Sequence, residues 1–529
     1  MKKTLAGILL VDRVAISCAI CRTICWTICC AICCTEATGQ QIPFLSELLS
    51  RNEDFVRLYS EKRRAGANLT AIEPARKRAE DAFRRGNIPG ILEALSEGQA
   101  LLAGKKWDER QKFIASLTLE VDRLVVEPNQ VLQVSLTRMF PAAEKAFASP
   151  PTVTFTIVSS EGASKPAESQ PAPTLTQPLI IADRLAIGET SSTASRKLLL
   201  LDGSYQVVAV IEAGGQTVGE IRRSIYAVAD FSDSVSRISR TIATIKGSSD
   251  ARVQAVVPRL STAEFQLERL AQMNKSRGES ELNPNQEIDR IEGVLTALAR
   301  GRNPLARERG EVERAYRAAD NKLVPYRVYV PKSYDASSPR PLVVLLHGDL
   351  GDERSYFSGL FDPSVIKGEA DRRGWILVAV NGRGRLSSYT GAAQNDVFDV
   401  IEAVSREYKI DASRIYLTGH STGGLGTWLV AGSKPDQFAA IAAISAGALP
   451  AGDPLNSLLA KLKGVPILVA HGARDGITPI QLSKTMVAAA EKAGINVSFL
   501  EVPDGDHLSV VGSTFPAVLN FFEKNAKSR

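Results

Sequence analysis

Arg414-Ile415-Tyr416-Leu417-Thr418-Gly419-His420-Ser421-Thr422-Gly423-Gly424 is the stretch that decides the fold of the C-terminal part of this chain. A short apolar run enters a serine flanked by glycines, and the chain leaves it as a helix through Trp428 and Val430. This is G-x-S-x-G in the strand, tight turn and helix order that gives the motif meaning. The turn strains the serine backbone, and only glycine fits where the flanking chain segments approach closely. It also points the hydroxyl at a helix N-terminus, whose amides favour a developing negative charge. Outside that setting the same letters read as a glycine-rich turn carrying a surface serine.

The surroundings extend the pattern in both directions. Apolar runs recur at Pro341 to Leu346, ending in His347-Gly348, and at Trp375 to Val380, Phe438 to Ser445, Pro466 to Ala470 and Val497 to Val502. Between them, Asp396 to Tyr408 (buried side Val397, Val400, Ile401, Val404) and Ile480 to Ala493 have helical spacing. Strands buried on both faces and separated by helices predict an α/β unit with a doubly wound, mostly parallel sheet over residues 311–529.

A serine hydroxyl is a weak nucleophile near neutral pH, so it needs a base, and the base needs a carboxylate to orient it. The chain has four histidines. His347, His420 and His471 end strands or sit inside the turn, where they support loops. His507, in Asp504-Gly505-Asp506-His507 after the final strand, is the expected base. Asp475 follows the strand Pro466 to Ala470 at its C-terminal end, where catalytic loops gather, and is the expected acid. Asp506 is its rival, but adjacent residues rarely direct side chains at one another. The chain order Ser421, Asp475, His507 suits the fold. The oxyanion donors are expected to be the Thr422 amide and that of Asp349 or Leu350.

Tyr326-Arg327-Val328-Tyr329-Val330-Pro331, Leu346-His347-Gly348, Asn381-Gly382-Arg383-Gly384, Asp396 to Val400, Arg414 to Gly424, His471-Gly472-Ala473-Arg474-Asp475 and Asp506-His507 together resemble the α/β-hydrolase superfamily. Within it they are similar to extracellular bacterial esterases and to polyhydroxybutyrate-depolymerase-like or prolyl-oligopeptidase-like hydrolases. The resemblance covers roughly the last 210 residues and is specific to fold and triad, not to substrate. It implies hydrolysis of carboxylic esters, small or polymer-linked (a polysaccharide or polyester), through an acyl-Ser421 intermediate, with no metal or organic cofactor. A serine peptidase is the alternative reading, although no β-propeller repeat accompanies the triad; a binding or scaffold protein with a dead hydrolase unit is a third. Asp349 stands where a glycine or small residue is more usual, which leaves the second oxyanion donor open.

Upstream, the length of 529 residues requires more than one core. Residues 40–115 have helical spacing, with Thr70-Ala71-Ile72-Glu73 set out as a capping box for a helix from Ala71 to Arg85. Such a segment is expected to be packing or spacer. Residues 116–232 change to period two (Leu117 to Asp122, Gln130 to Leu136, Thr152 to Val158, Tyr205 to Ile211), which predicts an immunoglobulin-like β-sandwich. Ala163 to Pro178 is a loose, Pro- and Ser-rich loop within it. Trp26, Trp107, Trp375 and Trp428 all fall outside the sandwich, so a scaffolding role is expected there over glycan binding. Residues 233–310 return to helical spacing as a connector, interrupted at Gly278 to Asn285.

All seven cysteines lie in the first 34 residues. Lys2-Lys3, the apolar Leu5 to Val11 and the run Val14 to Cys34 read as a signal peptide over residues 1–39, cleaved near Ala37-Thr38-Gly39, so that the protein is exported. A retained membrane or lipid anchor and a mistaken start codon are the alternatives, because Asp12, Arg13 and Arg22 interrupt the apolar runs. The net charge of +6 is small for the length. Basic residues between Arg57 and Arg85 are interleaved with Glu61, Glu73, Glu80 and Asp81, which makes a solvated helical face and not a nucleic-acid site.

Overall fold

A computed structural model describes residues 44–143, 146–160, 178–188, 190–275, 282–384 and 387–527. The cysteine-rich N-terminal segment, almost all of the Ala163 to Pro178 loop and part of the Gly278 to Asn285 break lie outside these residues.

Among the described residues four helices come first: α1 (Leu45–Arg64), α2 (Glu73–Arg84), α3 (Ile88–Leu102) and α4 (Glu109–Ala115). Asn87 and Asp108 cap α3 and α4 by accepting from the amides of Gly90 and Gln111. The capping box expected for α2 does not form. Ile72 is its N-cap, with no side-chain cap, and the Glu73 carboxylate is engaged by Tyr59 and Arg76 instead. Leu48, Phe55, Ile72, Leu92 and Leu95 bury the faces that these helices turn to one another.

Eight strands follow: β1 (Leu117–Val121), β2 (Val125–Val126), β3 (Val131–Arg138), β4 (Thr152–Ser159), β5 (Leu179–Ala186), β6 (Ser191–Lys197), β7 (Gly203–Ala213) and β8 (Gln216–Ala227). They make a three-stranded sheet, β1-β3-β6, and a five-stranded one, β2-β8-β7-β4-β5. Both send side chains into one core, Leu119, Leu132 and Leu136 from the first and Val153, Phe155, Ile157 and Val207 from the second. That core continues into α5 (Phe231–Lys246), α7 (Leu260–Gln272) and α8 (Pro284–Leu298), with the short α6 (Ala251–Gln254) between.

The remaining strands are β9 (Gly310–Arg317), β10 (Leu323–Val330), β11 (Arg340–Leu346), β12 (Ile376–Val380), β13 (Ile410–His420), β14 (Ala440–Ile444), β15 (Ile467–Gly472) and β16 (Val497–Val502). They form one sheet in the order β16-β15-β14-β13-β11-β12-β10-β9, parallel from β16 to β12 and antiparallel at β10 and β9. Strand alternation sorts β11 between two cores. Leu342, Val344 and Leu346 pack with α10 (Ala392–Glu407), α11 (Thr422–Ser433), α12 (Asp453–Lys461) and α13 (Ile480–Lys492) on one face. Val343 and Leu345 pack with α9 (Pro363–Arg373) and α14 (Ser509–Lys524) on the other. Helices on both faces explain why these strands read as unbroken apolar runs. The edge strand β9 is tied to α7, where the Thr262 hydroxyl accepts from the Ala315 amide; such covering protects an edge from pairing with another chain.

Candidate functional site

Ser421 lies between the end of β13 and the first residue of α11, with φ 57° and ψ −121°. That conformation is costly for a residue with a Cβ. The surrounding glycines make it possible: a Cβ on Gly419 would run into the Gly423 carbonyl, and one on Gly423 into the carbonyls of Leu346 and His347. Thr422 opens α11, so its N–H has no acceptor within the helix. From β11, the loop after His347 crosses close by, and a Cβ on Gly348 would lie 2.9 Å from Ser421 Cβ. The Thr422 hydroxyl donates to Asp349 at 3.0 Å, and Leu350 has φ 65°. Of the expected oxyanion residues, Thr422 follows Ser421 and Asp349 is bonded to Thr422, while Leu350 is the next residue along that loop. The His347 ring spans the carbonyls of Gly348 and Asn381, each 2.8 Å away, and so fixes this loop to the one after β12.

Asp475 and His507 meet directly. His507 Nδ1 donates to Asp475 Oδ2 at 2.8 Å. Their loops are pressed together backbone to backbone, for a Cβ on Gly472 would strike the Gly505 carbonyl. The Asp475 carboxylate is fully buried and also accepts from the amides of Ile477 (2.9 Å) and Thr478 (2.8 Å) and from His471 Nε2 at 3.2 Å. Burial alone would raise its pKa; the neighbouring His507 and the hydrogen bonds from His471, His507 and Thr478 overcome it and hold the carboxyl well below the usual carboxylate range. It is thus ionised and aimed at His507. Asp506, the rival, accepts instead from the amides of Leu508 and Ser509 at the start of α14. Among the described residues no hydrogen bond joins the Ser421 hydroxyl to His507; such bonds are commonly long at rest and tighten as a substrate reacts.

With this geometry, sequence comparison assigns the fold. A phospholipase/carboxylesterase family model matches residues 386–526, from before α10 through α14. The C-terminal unit has the α/β-hydrolase fold. Acetylxylan esterase A of Emericella nidulans is 28% identical to this chain over 155 residues, 27% of this chain and 48% of that protein. Feruloyl esterase B of Neurospora crassa is 33% identical over 129 residues, 22% of this chain and 42% of that protein. The chain spans about half the length of the curated relatives it matches. Among solved structures, a thermostable esterase aligns with 78% of this chain and 100% of its own at 15% identity and a TM-score of 0.36.

Two further groups in the α/β-hydrolase site escaped the reading from sequence. His420 is wholly buried; its Nε2–H donates to the His507 carbonyl at 2.6 Å, and its ring lies 4.5 Å from that of His507 and 5.0 Å from Phe361. His471 Nε2 reaches the same Asp475 oxygen as His507, with its Nδ1 accepting from the Ser483 hydroxyl at 2.7 Å. Both were legible only as loop supports, because the partner of a buried imidazole is set by tertiary approach. Among the described residues no group of three His, Cys, Asp or Glu side chains could hold a metal ion, and no helix is long and apolar enough to cross a membrane.

Proposed function

We propose that the protein hydrolyses carboxylic esters through an acyl-Ser421 intermediate. His507 removes the Ser421 proton, passes it to the leaving alcohol and then activates water; Asp475 fixes the imidazole tautomer and balances its positive charge. The amides of Thr422 and of Asp349 or Leu350 receive the oxyanion. The observation that carries this reading is the 2.8 Å bond from His507 to a buried, ionised Asp475 beside a serine at φ 57°. The likeness to acetylxylan and feruloyl esterases favours esters over peptides and extends the substrate class to acyl groups on polysaccharides. In the same proposal residues 311–529 form the catalytic unit, residues 116–232 an immunoglobulin-like scaffold and residues 233–310 its connector, and the protein acts after export.

The decisive experiment compares purified protein and Ser421→Ala on p-nitrophenyl acetate and butyrate. Loss of Ser421 is expected to lower kcat by at least about 10⁴-fold; equal rates for the two proteins would remove the assignment.

A further inference from the structure

The N-terminal helices were expected to be packing or spacer, yet they lie on the loops of the proposed active site. Leu350 of the oxyanion loop, Leu360 next to Phe361, and Leu508 after His507 all pack into the hydrophobic core of α1 to α3. The backbone at Gly359 rests on the Arg57 side chain. Arg63 donates to the Asp504 carbonyl at 3.0 Å. Glu80 sits so close to Gly476, the residue after Asp475, that a Cβ there would collide with its carboxylate. One small helical unit thus touches the loops assigned to oxyanion binding, acid and base.

Besides the apolar contact through Leu508, the unit carries a polar cluster that includes Glu80. The Tyr59 hydroxyl donates to Glu73 at 2.8 Å, Arg76 Nε donates to Glu73 at 2.9 Å, and Arg76 also pairs with Glu80. Burial, then the hydrogen bond to Glu73, pushes the Tyr59 hydroxyl up to about 12, and the Asp506 carboxylate adds to the rise. Arg76, Glu80 and Glu73 nevertheless keep 21%, 16% and 43% of their side chains open to solvent, enough to meet a ligand.

Chemistry fixes which part of an ester lies there. In a Ser-His-Asp site the histidine protonates the leaving alcohol, so the alcohol departs on the histidine side. We infer that the cluster of Tyr59, Glu73, Arg76 and Glu80 is the alcohol-side wall of the Ser421 site and selects esters of hydroxyl-rich alcohols over those of aliphatic ones. Carboxylates and a guanidinium can accept from and donate to hydroxyls, whereas an alkyl chain at the same wall would strip water from charged groups without return. The inference rests on the proposed esterase reading and deepens it.

The test holds the acyl group constant. Acetate release from an acetylated xylo-oligosaccharide and from hexyl acetate is measured for the full-length protein and for Glu80→Gln, Arg76→Met, Ser421→Ala and Arg78→Ala; Arg78 pairs with Glu97 instead of joining the cluster. Both cluster variants are expected to lower the ratio of kcat/KM, sugar ester over hexyl ester, by about tenfold or more, the size of one lost charge-assisted hydrogen bond, mainly through KM of the sugar ester. Arg78→Ala leaves the ratio at its wild-type value. A purely structural role lowers both substrates together, so a ratio unchanged within about twofold in the nearly isosteric Glu80→Gln overturns the inference. Activity abolished by Ser421→Ala alongside an insensitive ratio removes the inference alone; absence of Ser421-dependent release from either ester removes the esterase reading with it.

Discussion

His420 carries a titratable ring in a place that does not admit charge. Burial first, and then the nearby His507, holds its pKa well below the ordinary imidazole value. In the unfolded chain the same ring takes a proton near pH 6.5. The folded state therefore binds fewer protons at this group as pH drops below about 6.5, and stability falls by up to about 1.4 kcal/mol per pH unit until the folded value is reached. His420→Gln, which retains an N–H for the His507 carbonyl, is expected to be less acid-sensitive than the wild type in urea unfolding between pH 7 and 5; parallel slopes for the two proteins would contradict this. Asp475 behaves oppositely in range: its contribution is complete at neutral pH and disappears only as strong acid protonates it. At this scale the motif singles out Ser421 as a candidate and the scarcity of histidines singles out His507. The bond that His420 makes to the His507 backbone joins residues 87 positions apart and leaves no local signature.

Elements whose burial is regular were readable, and those at the margins were not. The run Leu342 to Leu346 is buried throughout, so it declares itself as a strand. By contrast β6, Ser191–Lys197, has one buried residue in seven, and β8 begins with mostly exposed or half-buried positions, so neither shows a period-two apolar pattern. Helix α2 was recognised, but its start was placed two residues early because the Glu73 carboxylate serves Tyr59 and Arg76 and not the backbone. At the serine turn the packing of one element on another is backbone to backbone. Gly423→Ala, which places a methyl group against the carbonyls of Leu346 and His347, is expected to cost at least about 2 kcal/mol in unfolding free energy, because carbonyls in a sheet do not yield as a side chain would. An unfolding midpoint equal to that of the wild type would show that β11 can shift aside.

Across the whole molecule, the eight-stranded unit is held in two places by chain that precedes it. Glu407, the last residue of α10, accepts from Arg259 at 2.8 Å and from Asn303 at 2.5 Å, joining the connector to the sheet's helical layer. Removing that carboxylate in Glu407→Ala leaves Arg259 without its ion-pair partner in a mostly buried setting. The expected cost is about 1 to 3 kcal/mol by urea unfolding, less than for a fully buried pair because the guanidinium keeps some water. The second hold is by the N-terminal helices on the loops, a docking no sequence pattern announced, since each helix presents only an ordinary amphipathic face.

That docking joins residues as far apart as Arg63 and Asp504, 441 positions along the chain. A ribosome needs on the order of 20 to 90 s to cover such an interval. Through that time the apolar faces of α1 to α3 can shelter against Met139 and Phe140, with which they share a core, long before Leu508 exists to complete it. The N-terminal side of the proposed site is therefore made long before the loops it rests on, and its apolar faces must be kept from other partners until Leu508 arrives.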